Sequence, residues 1–158
     1  MPLAKLTELL DQQQVDYQVI PHFTAYTAQE AAAAAHIPGR QVAKTVMVKI
    51  DGTMAMVVLE APDYVHLGRL KEVAGAGEVE LAGESEFRDL FPDCEPGAMP
   101  PFGNLWDIPV FVDQRLREDE RIAFAAGTHR ELVRMAYGDF ERLVNPAVAE
   151  LSTRSARA

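Results

Sequence analysis

The chain has 158 residues, of which 48% are hydrophobic and 25% charged, a balance typical of one globular domain with a real core. Its 24 acidic and 15 basic residues give a formal charge of −9, which argues against broad non-specific binding to nucleic acid. No window approaches roughly 18 consecutive apolar residues, the N-terminus lacks a signal peptide's apolar core, and the single cysteine, Cys94, has no partner for an internal disulfide. A cytoplasmic protein without a structural metal, a cofactor or a membrane partner is therefore expected.

The first half of the chain is predicted to alternate between helices and strands. Apolar spacing predicts a helix over residues 1–14, a strand over 16–22, a helix over 27–36 and a β-hairpin over 40–60. Thr27 and Glu30 form the pattern of a capping box at the start of the second helix. Asp51 and Gly52 are a strong turn signal at the centre of the hairpin.

The second half is predicted to continue this mixture. The predicted elements are a helix over residues 65–77, a strand over 78–83, a short helix over 84–91, a proline-rich loop over 92–104, strands over 108–113, 121–127 and 128–135, and a closing helix over 138–151 that is interrupted by Pro146. We expect one domain over residues 1–150 and a frayed tail over 151–158. Helices mixed with hairpins favour an α+β domain around a mixed sheet.

Lys44 lies on the first strand of the predicted hairpin. Strand parity places it on the same face as Val46, Val48 and Ile50, at the edge of an apolar surface. One interpretation is a lysine whose stem packs while its ammonium reaches water. The other is an ammonium held at the mouth of a pocket, where it binds a phosphate or a developing oxyanion. Taken alone, this stretch favours the first.

Two further segments can form walls of such a pocket. The loop GAMPPFG over residues 97–103 combines restrictive prolines with permissive glycines, so it can present backbone N–H groups to a ligand or simply make a rigid connection. The segment AAGTHRELVRM over residues 125–135 leaves an apolar strand through Gly127 into Thr128 and His129. His129 is a candidate for acid–base chemistry or phosphate binding, although a histidine in a turn is more often only solvated.

The segment IPHFTAYTAQE precedes the second predicted helix. His22 and Tyr26 can line a pocket there, close to a helix N-terminus, which is a favourable place for anions. The alternative is a purely structural start of the helix, with Thr27 as its cap. The sequence contains no P-loop, GxGxxG, HExxH or GxSxG motif, so nucleotide-fold, zincin and α/β-hydrolase chemistry are not indicated.

Three segments occur in an order that resembles a known family: TAQEAAAAAHIPGRQVAKTVMVKIDG, then GAMPPFG, then IPVFVD with FAAGTHRELVRM and DF. The chain resembles the YbaK/EbsC family of aminoacyl-tRNA editing domains, which also occur as insertions in bacterial prolyl-tRNA synthetases. The resemblance covers roughly residues 6–143. It implies a single α+β domain in which surrounding helices enclose a barrel-like core of mixed, mostly antiparallel strands.

The resemblance also implies a set of functional residues. Lys44, in the family's KT context, matches the signature functional lysine, so we expect it to be the catalytic residue. The implied substrate-binding residues belong to the segment before the second helix, the hairpin, the proline loop and the turn after the later strand: His22, Tyr26, Thr45, Gly97, Ala98, Met99, Pro100, Pro101, Phe102, Gly127, Thr128 and His129.

The function implied is a free-standing, trans-editing aminoacyl-tRNA deacylase. It would hydrolyse the ester of a mischarged tRNA, with tRNA-Pro carrying a small amino acid as the expected substrate. Because no Ser-His-Asp or Cys-His set is evident, we expect a mechanism without a protein nucleophile. The resemblance implies that the terminal ribose hydroxyl of the tRNA helps activate water. The expected partners are the tRNA acceptor end and, as a second candidate, an aminoacyl-tRNA synthetase.

Two other functions are compatible with the sequence. The first is a binding module that has kept the pocket and lost catalysis, with an amino-acid-like ligand or a synthetase as its partner. The second, less favoured, is a hydrolase of another small ester that uses Cys94 as its nucleophile.

Overall fold

Helices and strands follow one another closely through residues 2–153, the part of the chain that this computed structural model describes. In that range the helices are Ala4–Gln12 (α1), Ala28–Ala35 (α2), Leu67–Ala74 (α3), Glu84–Phe87 (α4) and Tyr137–Val144 (α5). The strands are Tyr17–Pro21 (β1), Ala43–Ile50 (β2), Thr53–Glu60 (β3), Tyr64–Val65 (β4), Val79–Leu81 (β5), Val110–Asp113 (β6), Arg121–Ala125 (β7), Glu131–Ala136 (β8), Ala147–Ala149 (β9) and Ser152–Thr153 (β10).

The strands divide over three sheets. A five-stranded sheet has the order β5-β2-β3-β6-β9, a three-stranded sheet the order β1-β8-β7, and β4 pairs with β10. The pairs β3–β6 and β6–β9 are parallel and the remaining pairs are antiparallel. The predicted α+β domain with a mixed, mostly antiparallel sheet is therefore confirmed. The barrel-like core that the resemblance implied does not close into a barrel: within residues 2–153 the strands form separate sheets, and the two larger ones pack face to face through apolar side chains.

The hairpin of β2 and β3 turns where the sequence predicts it. Asp51 and Gly52 both have positive φ angles, 49° and 82°, as the tight turn of a two-residue hairpin requires. The Asp51 carboxylate accepts hydrogen bonds from the backbone N–H groups of Gly77 and Glu78, at 3.0 and 2.8 Å. These contacts tie the turn to the chain just before β5. The register places Lys44 opposite Leu59.

The main core lies between the two larger sheets. Met47, Met56 and Val58 from the five-stranded sheet pack with Phe124 and Val133 from the three-stranded sheet. Helices α1 and α5 close this layer with fully buried side chains, among them Leu6, Leu10 and Phe140. Burial of this apolar surface is the main force that holds the two sheets together.

The outer faces of the two sheets are covered by different helices. Helix α2 packs Ala31 and Ala32 against Ala123 and Leu132 of the three-stranded sheet. Its predicted capping box is present: the Thr27 hydroxyl accepts from the Glu30 N–H at 3.1 Å, and the Thr27 N–H donates to the Glu30 carboxylate at 3.2 Å. On the five-stranded sheet, Leu70 of α3 packs over residues that include Val48, Val57 and Leu59.

The C-terminal part of the chain differs from the sequence-based expectation. The closing helix ends at Val144 because Asn145 adopts a left-handed conformation, with φ of 51°, and Pro146 follows it. The residues after Pro146 form β9, a strand rather than a continued helix.

The beginning of the predicted tail is packed. Leu151 is fully buried, and its N–H donates to the Asp113 carboxylate at 2.8 Å. Ser152–Thr153 pairs with Tyr64–Val65, so the short strands β10 and β4, which the sequence did not predict, hold each other in place. Residues 154–158 of the expected tail lie outside the described residues.

Candidate functional site

A small cavity lies where the start of β2 meets α2, the proline loop and the turn between β7 and β8. Its volume is about 60 Å³, far below the roughly 300–1,000 Å³ of pockets that hold drug-sized ligands. The wall contains five small side chains: Ala25, Ala28, Ala31, Ala43 and Ala125. The cavity can therefore take only a small group.

Polar residues converge on this small space. Eight of the residues predicted to form the site line it: His22, Tyr26, Lys44, Thr45, Gly97, Met99, Thr128 and His129. They come from four segments that are far apart in the sequence, and the fold brings them together because β2, the proline loop and the β7–β8 turn meet at this edge. An apolar cavity with a few convergent polar groups is the usual form of a small-molecule site.

Lys44 lies at the boundary between an apolar surface and the cavity. Val46, Val48 and Ile50 on its face of β2 pack in the cluster beneath α3, as strand parity predicts, and Lys44 stands at the end of this row. Its ammonium Nζ lies 5.2 Å from the ring centroid of Tyr64, a cation–π distance. Burial lowers the pKa of Lys44, while the negative charge of Asp63 opposes that shift.

A buried acidic cluster lies beside Lys44. The carboxylates of Asp63 and Glu60, 3% and 4% exposed, contact the Arg115 guanidinium at 2.6 and 3.4 Å. Burial raises the pKa of Glu60 to about 7 against the opposing charge of Arg115, and the charges of Asp119 and Asp63 add to the rise. Asp63 therefore interacts by charge both with Lys44 and with Arg115, the cation that also contacts Glu60.

His129 is held firmly in the wall of the cavity. Its ring Nε2 lies 2.7 Å from the Pro96 carbonyl oxygen, which can only accept, so Nε2 donates this hydrogen bond. Its backbone N–H donates to the Glu95 carboxylate at 2.8 Å, and its backbone carbonyl accepts from the Ala25 N–H at 2.9 Å. These contacts join the β7–β8 turn to both the proline loop and the segment before α2.

The segment before α2 supplies the opposite wall. The backbone N–H of His22 donates to the Arg130 carbonyl at 2.9 Å, and its ring Nδ1 bonds to the Phe23 carbonyl at 2.5 Å. Tyr26 is 72% exposed, and its ring lies 5.1 Å from that of His129 with a tilt of 56°. The predicted pocket contacts of this segment are therefore next to the β7–β8 turn.

Gly127, predicted to line the site, supports the loop instead. Its φ of 107° is strained for any residue with a side chain, and a Cβ there would lie 3.3 Å from the Leu3 Cβ, on the side of α1. Its N–H donates to the Ala98 carbonyl at 2.7 Å, and its carbonyl accepts from the Glu95 N–H at 2.8 Å. Gly127 thus fixes the proline loop against the end of β7.

Most of the proline loop is buried behind the cavity. Ala98, Pro100, Pro101 and Phe102 were predicted to bind substrate, but they do not line the cavity and are buried. Phe102 belongs to the core, where its ring packs 5.6 Å from that of Phe124 and 5.4 Å from that of Phe140. The Ala98 N–H donates to the Glu95 carbonyl at 3.0 Å, so this donor is engaged within the loop.

Sequence reasoning missed two kinds of residue around the cavity. The first is the alanine wall formed by Ala28 and Ala31 of α2 together with Ala25 before it, although the spacing of Ala28 and Ala31 by three residues is a helical signal that could have indicated a common face. The second is Tyr64, which is 62% exposed beside Lys44. No local pattern marks Tyr64, because its contact with Lys44 joins two residues that are far apart in the sequence.

The environment of Cys94 argues against a thiol nucleophile. Burial raises the pKa of Cys94 to about 11, so the reactive thiolate is disfavoured at neutral pH. Cys94 also does not line the cavity.

Residues 2–153 contain no group of three or more His, Cys, Asp or Glu side chains placed to hold a metal ion. In the same range, no helix is long and apolar enough to cross a membrane.

Comparison with known proteins points to one family. Residues 22–143 match the aminoacyl-tRNA editing domain family. Similar curated proteins include proline–tRNA ligases of Shouchella clausii, 30% identical over 102 residues, and of Bacillus cytotoxicus, 34% identical over 85 residues. These matches cover 65% and 54% of this chain but only 18% and 15% of the ligases, so the similarity concerns one part of those enzymes.

Solved structures show the same fold. The crystal structure of the hypothetical protein APE2540 superposes with a TM-score of 0.84 at 22% identity, covering 94% of this chain and 99% of that one. A structure described as a candidate trans-editing enzyme for prolyl-tRNA synthetase gives a TM-score of 0.79 at 23% identity, covering 94% and 95% of the two chains.

Proposed function

Because the chain belongs to the aminoacyl-tRNA editing domain family, we propose that it is a deacylase that hydrolyses the ester of a mischarged tRNA, with tRNA-Pro carrying a small amino acid as substrate. The observation that carries the proposal is the cavity of about 60 Å³ with Lys44 at its edge. The likeness to parts of proline–tRNA ligases favours tRNA-Pro, and the description of one structural neighbour favours action in trans.

The alanine wall supports a small acyl group. Side chains the size of those of alanine, serine or cysteine suit a cavity of this volume, whereas larger ones meet α2 at Ala28 and Ala31. One methylene in an apolar pocket changes discrimination by only about 1–3 kcal/mol, so we expect graded rather than absolute selection among small amino acids.

The proposed chemistry needs no protein nucleophile. A water molecule attacks the ester carbonyl carbon, and the tetrahedral oxyanion forms near the Lys44 ammonium, which stabilises it by charge. The bond from the carbonyl carbon to the ribose oxygen then breaks. The ribose oxygen takes up a proton, and the free amino acid leaves as a carboxylate. The neighbouring ribose hydroxyl positions the water and relays one of its protons to the departing ribose oxygen. The carboxylic acid that forms gives its remaining proton to solvent, so the protein contributes orientation and electrostatics.

The test is deacylation of a panel of tRNA-Pro molecules that carry alanine, serine, cysteine, threonine or proline. We expect faster hydrolysis of the small esters than of the prolyl ester. Lys44→Ala and Lys44→Met should lower kcat by about 10²–10³-fold, the usual effect of removing one oxyanion-stabilising donor. Lys71→Ala removes an exposed lysine of α3 that does not line the cavity, and it should retain full activity.

The same panel separates the alternatives. An increase in KM with unchanged kcat in Lys44→Met would mean that the ammonium binds a phosphate in the ground state rather than the oxyanion. Saturable binding of a non-hydrolysable aminoacyl amide, with no turnover of any ester, would identify an inactive binding module. Full activity of both Lys44 variants would contradict the role of Lys44.

A further inference from the structure

A buried ion pair between Asp63 and Arg115 lies beside Lys44. The Asp63 carboxylate accepts a hydrogen bond from the Arg115 guanidinium at 2.6 Å, and neither residue lines the cavity. We propose that Arg115 holds this carboxylate near Lys44 but out of ion-pair contact with it, so that Lys44 stays charged and its ammonium stays free for the substrate. Asp63 and Arg115 are then positioning residues, and their role rests on the proposed deacylase function.

The turn between β3 and β4 brings Asp63 close to the start of β2. The Ala61 N–H of this turn donates to the Val42 carbonyl at 2.9 Å, two residues before Lys44. In the described part of the chain, Asp63 forms its ion pair with Arg115, and no carboxylate forms one with Lys44. The charge of Asp63 is nonetheless near enough to oppose the effect of burial on the pKa of Lys44.

Arg115 is itself held in place at its backbone and at its guanidinium. Its backbone N–H donates to the Asp113 carboxylate at 3.3 Å, and this fully buried carboxylate also accepts from the Leu151 N–H at 2.8 Å. The guanidinium contacts Glu60 at 3.4 Å in addition to Asp63. Arg115 therefore competes with Lys44 for the Asp63 carboxylate from a fixed position.

A partly buried lysine that acts by its charge faces two opposite losses. Burial without a nearby anion favours the neutral amine, which cannot stabilise an oxyanion by charge. A carboxylate in direct contact would keep the ammonium charged, but it would compensate that charge and engage its hydrogen-bond donors. An anion that a second cation holds at a short distance avoids both losses, and the Asp63–Arg115 pair provides that arrangement beside Lys44.

The other charged groups around Lys44 are less suited to this role. Burial raises the pKa values of the Glu60 and Asp119 carboxyls, to about 7 for Glu60, so Glu60 carries only part of its charge at neutral pH. Other titratable or charged side chains on the surrounding segments belong to His22, Tyr26, Arg40, Tyr64, His66 and His129. Asp63 is therefore the anion whose removal tests the proposal.

The pKa of Lys44 in the intact protein tests the proposal without any ester. Carbon NMR of protein labelled at the lysine Cε measures it, with Lys44→Arg to assign the resonance. We expect Asp63→Asn to lower the pKa of Lys44, because the charge that opposes burial is lost at nearly unchanged size. Mere loosening of the structure would instead expose Lys44 and raise its pKa toward 10.5, the ordinary lysine value. An unchanged or raised pKa in Asp63→Asn overturns the proposal.

Arg115→Gln tests the restraint on Asp63. The freed carboxylate should pair with Lys44, so the pKa of Lys44 should rise above 10.5, and kcat near neutral pH should fall by about 10²–10³-fold, as if Lys44 were lost. Adding Asp63→Asn to Arg115→Gln removes the competing carboxylate and should restore most of this loss, whereas structural damage from two substitutions would accumulate. A pKa that only returns to about 10.5 in Arg115→Gln, or no recovery in the double variant, overturns the proposal. These two variants decide the matter even where Asp63→Asn alone does not fold.

Arg117→Gln is the matched control. Arg117 lies on the same turn as Arg115 but is exposed and bonds to Glu141, so its loss should leave the pKa of Lys44 and kcat unchanged.

The outcomes for this role and for the proposed function are separable. The expected pKa changes of Lys44, in a protein that hydrolyses no ester, would keep the restraint on Asp63 and reject the deacylase. Ester hydrolysis that depends on Lys44, with a Lys44 pKa that Asp63→Asn does not lower, would keep the deacylase and reject the role of Asp63.

Discussion

Lys44 is a single residue whose environment decides its chemistry. Its stem ends a row of packed apolar side chains, its ammonium faces the Tyr64 ring, and Asp63 is the nearby anion. Burial favours the neutral amine and Asp63 favours the ammonium, with burial the larger influence, so the pKa of Lys44 is lowered. A lysine with a lowered pKa loses its charge at a lower pH than an exposed lysine.

The lowered pKa of Lys44 predicts how kcat/KM changes at alkaline pH. If the ammonium stabilises the oxyanion, kcat/KM should fall as Lys44 deprotonates, at a lower pH than the ordinary lysine value. Lys44→Arg should lower the rate, because a guanidinium has a different shape, but should remove this alkaline decline, because arginine keeps its charge up to about pH 12. The measurement is kcat/KM against pH, corrected for spontaneous ester hydrolysis. Identical alkaline declines in both proteins would exclude titration of Lys44 as the cause.

At the scale of elements, the proline loop is positioned by its neighbours and not by its own prolines alone. Gly127 bonds to the loop on two sides, through Ala98 and Glu95, and His129 adds a ring contact to Pro96. The loop is therefore continuous with the end of β7. A change at this junction should affect the fold before it affects any ligand contact.

Gly127→Ala tests whether the junction between the proline loop and the end of β7 requires a glycine. A side chain at φ of 107° is strained, and its Cβ would press on Leu3, so we expect a loss of about 1–3 kcal/mol in the free energy of unfolding. Gly138→Ala provides the matched change: this glycine lies in α5 with open space around the position of a Cβ, and alanine there should stabilise the protein by about 0.4–1 kcal/mol. Urea unfolding measures both. Equal effects of the two substitutions would contradict the strain at Gly127.

The sequence predicts elements where the signal is local. The capping box at Thr27, the turn at Asp51 and the apolar row beside Lys44 involve residues within a few positions of each other, and all three are present. Strand β9 and the packing of Leu151 depend on β6 and Asp113, which lie far away in the sequence, so a local pattern could not reveal them.

At the candidate site, too, local sequence signals predicted some residues, whereas contacts between distant residues determined others. Motif order indicated Lys44, His129 and the proline loop, but it could not show that Phe102 turns into the core or that Gly127 faces α1. The alternation of buried and lining positions along the loop is set by contacts with β7 and α5, which are tertiary. The contact between Tyr64 and Lys44 and the small cavity itself likewise form only when the chain folds, because each joins residues that are far apart in the sequence.

At the scale of the whole molecule, acidic side chains also outnumber basic ones in one buried cluster. Glu60 on β3, Asp63 before β4 and Asp119 before β7 meet around Arg115, and burial raises the pKa of Asp119 as well as that of Glu60. One Asp119 carboxylate oxygen is buried without a hydrogen-bond partner in the described part of the chain. A cluster with more buried carboxyl groups than cations is most favourable when one of them is protonated.

Glu60 therefore makes stability depend on pH. Its pKa is about 7 in the folded protein and about 4.5 when unfolded, so the folded state binds the proton more tightly. The stabilisation is fully present below about pH 4.5 and is lost as pH rises through 7. Glu60→Gln is neutral at every pH, so its stability relative to the unaltered protein should improve by about 1–3 kcal/mol between pH 5 and pH 8. Urea unfolding at both pH values measures this, and Glu8→Gln, an exposed carboxylate on α1, should show no such change. A constant difference between the unaltered protein and Glu60→Gln at the two pH values would mean that Glu60 is ionised throughout.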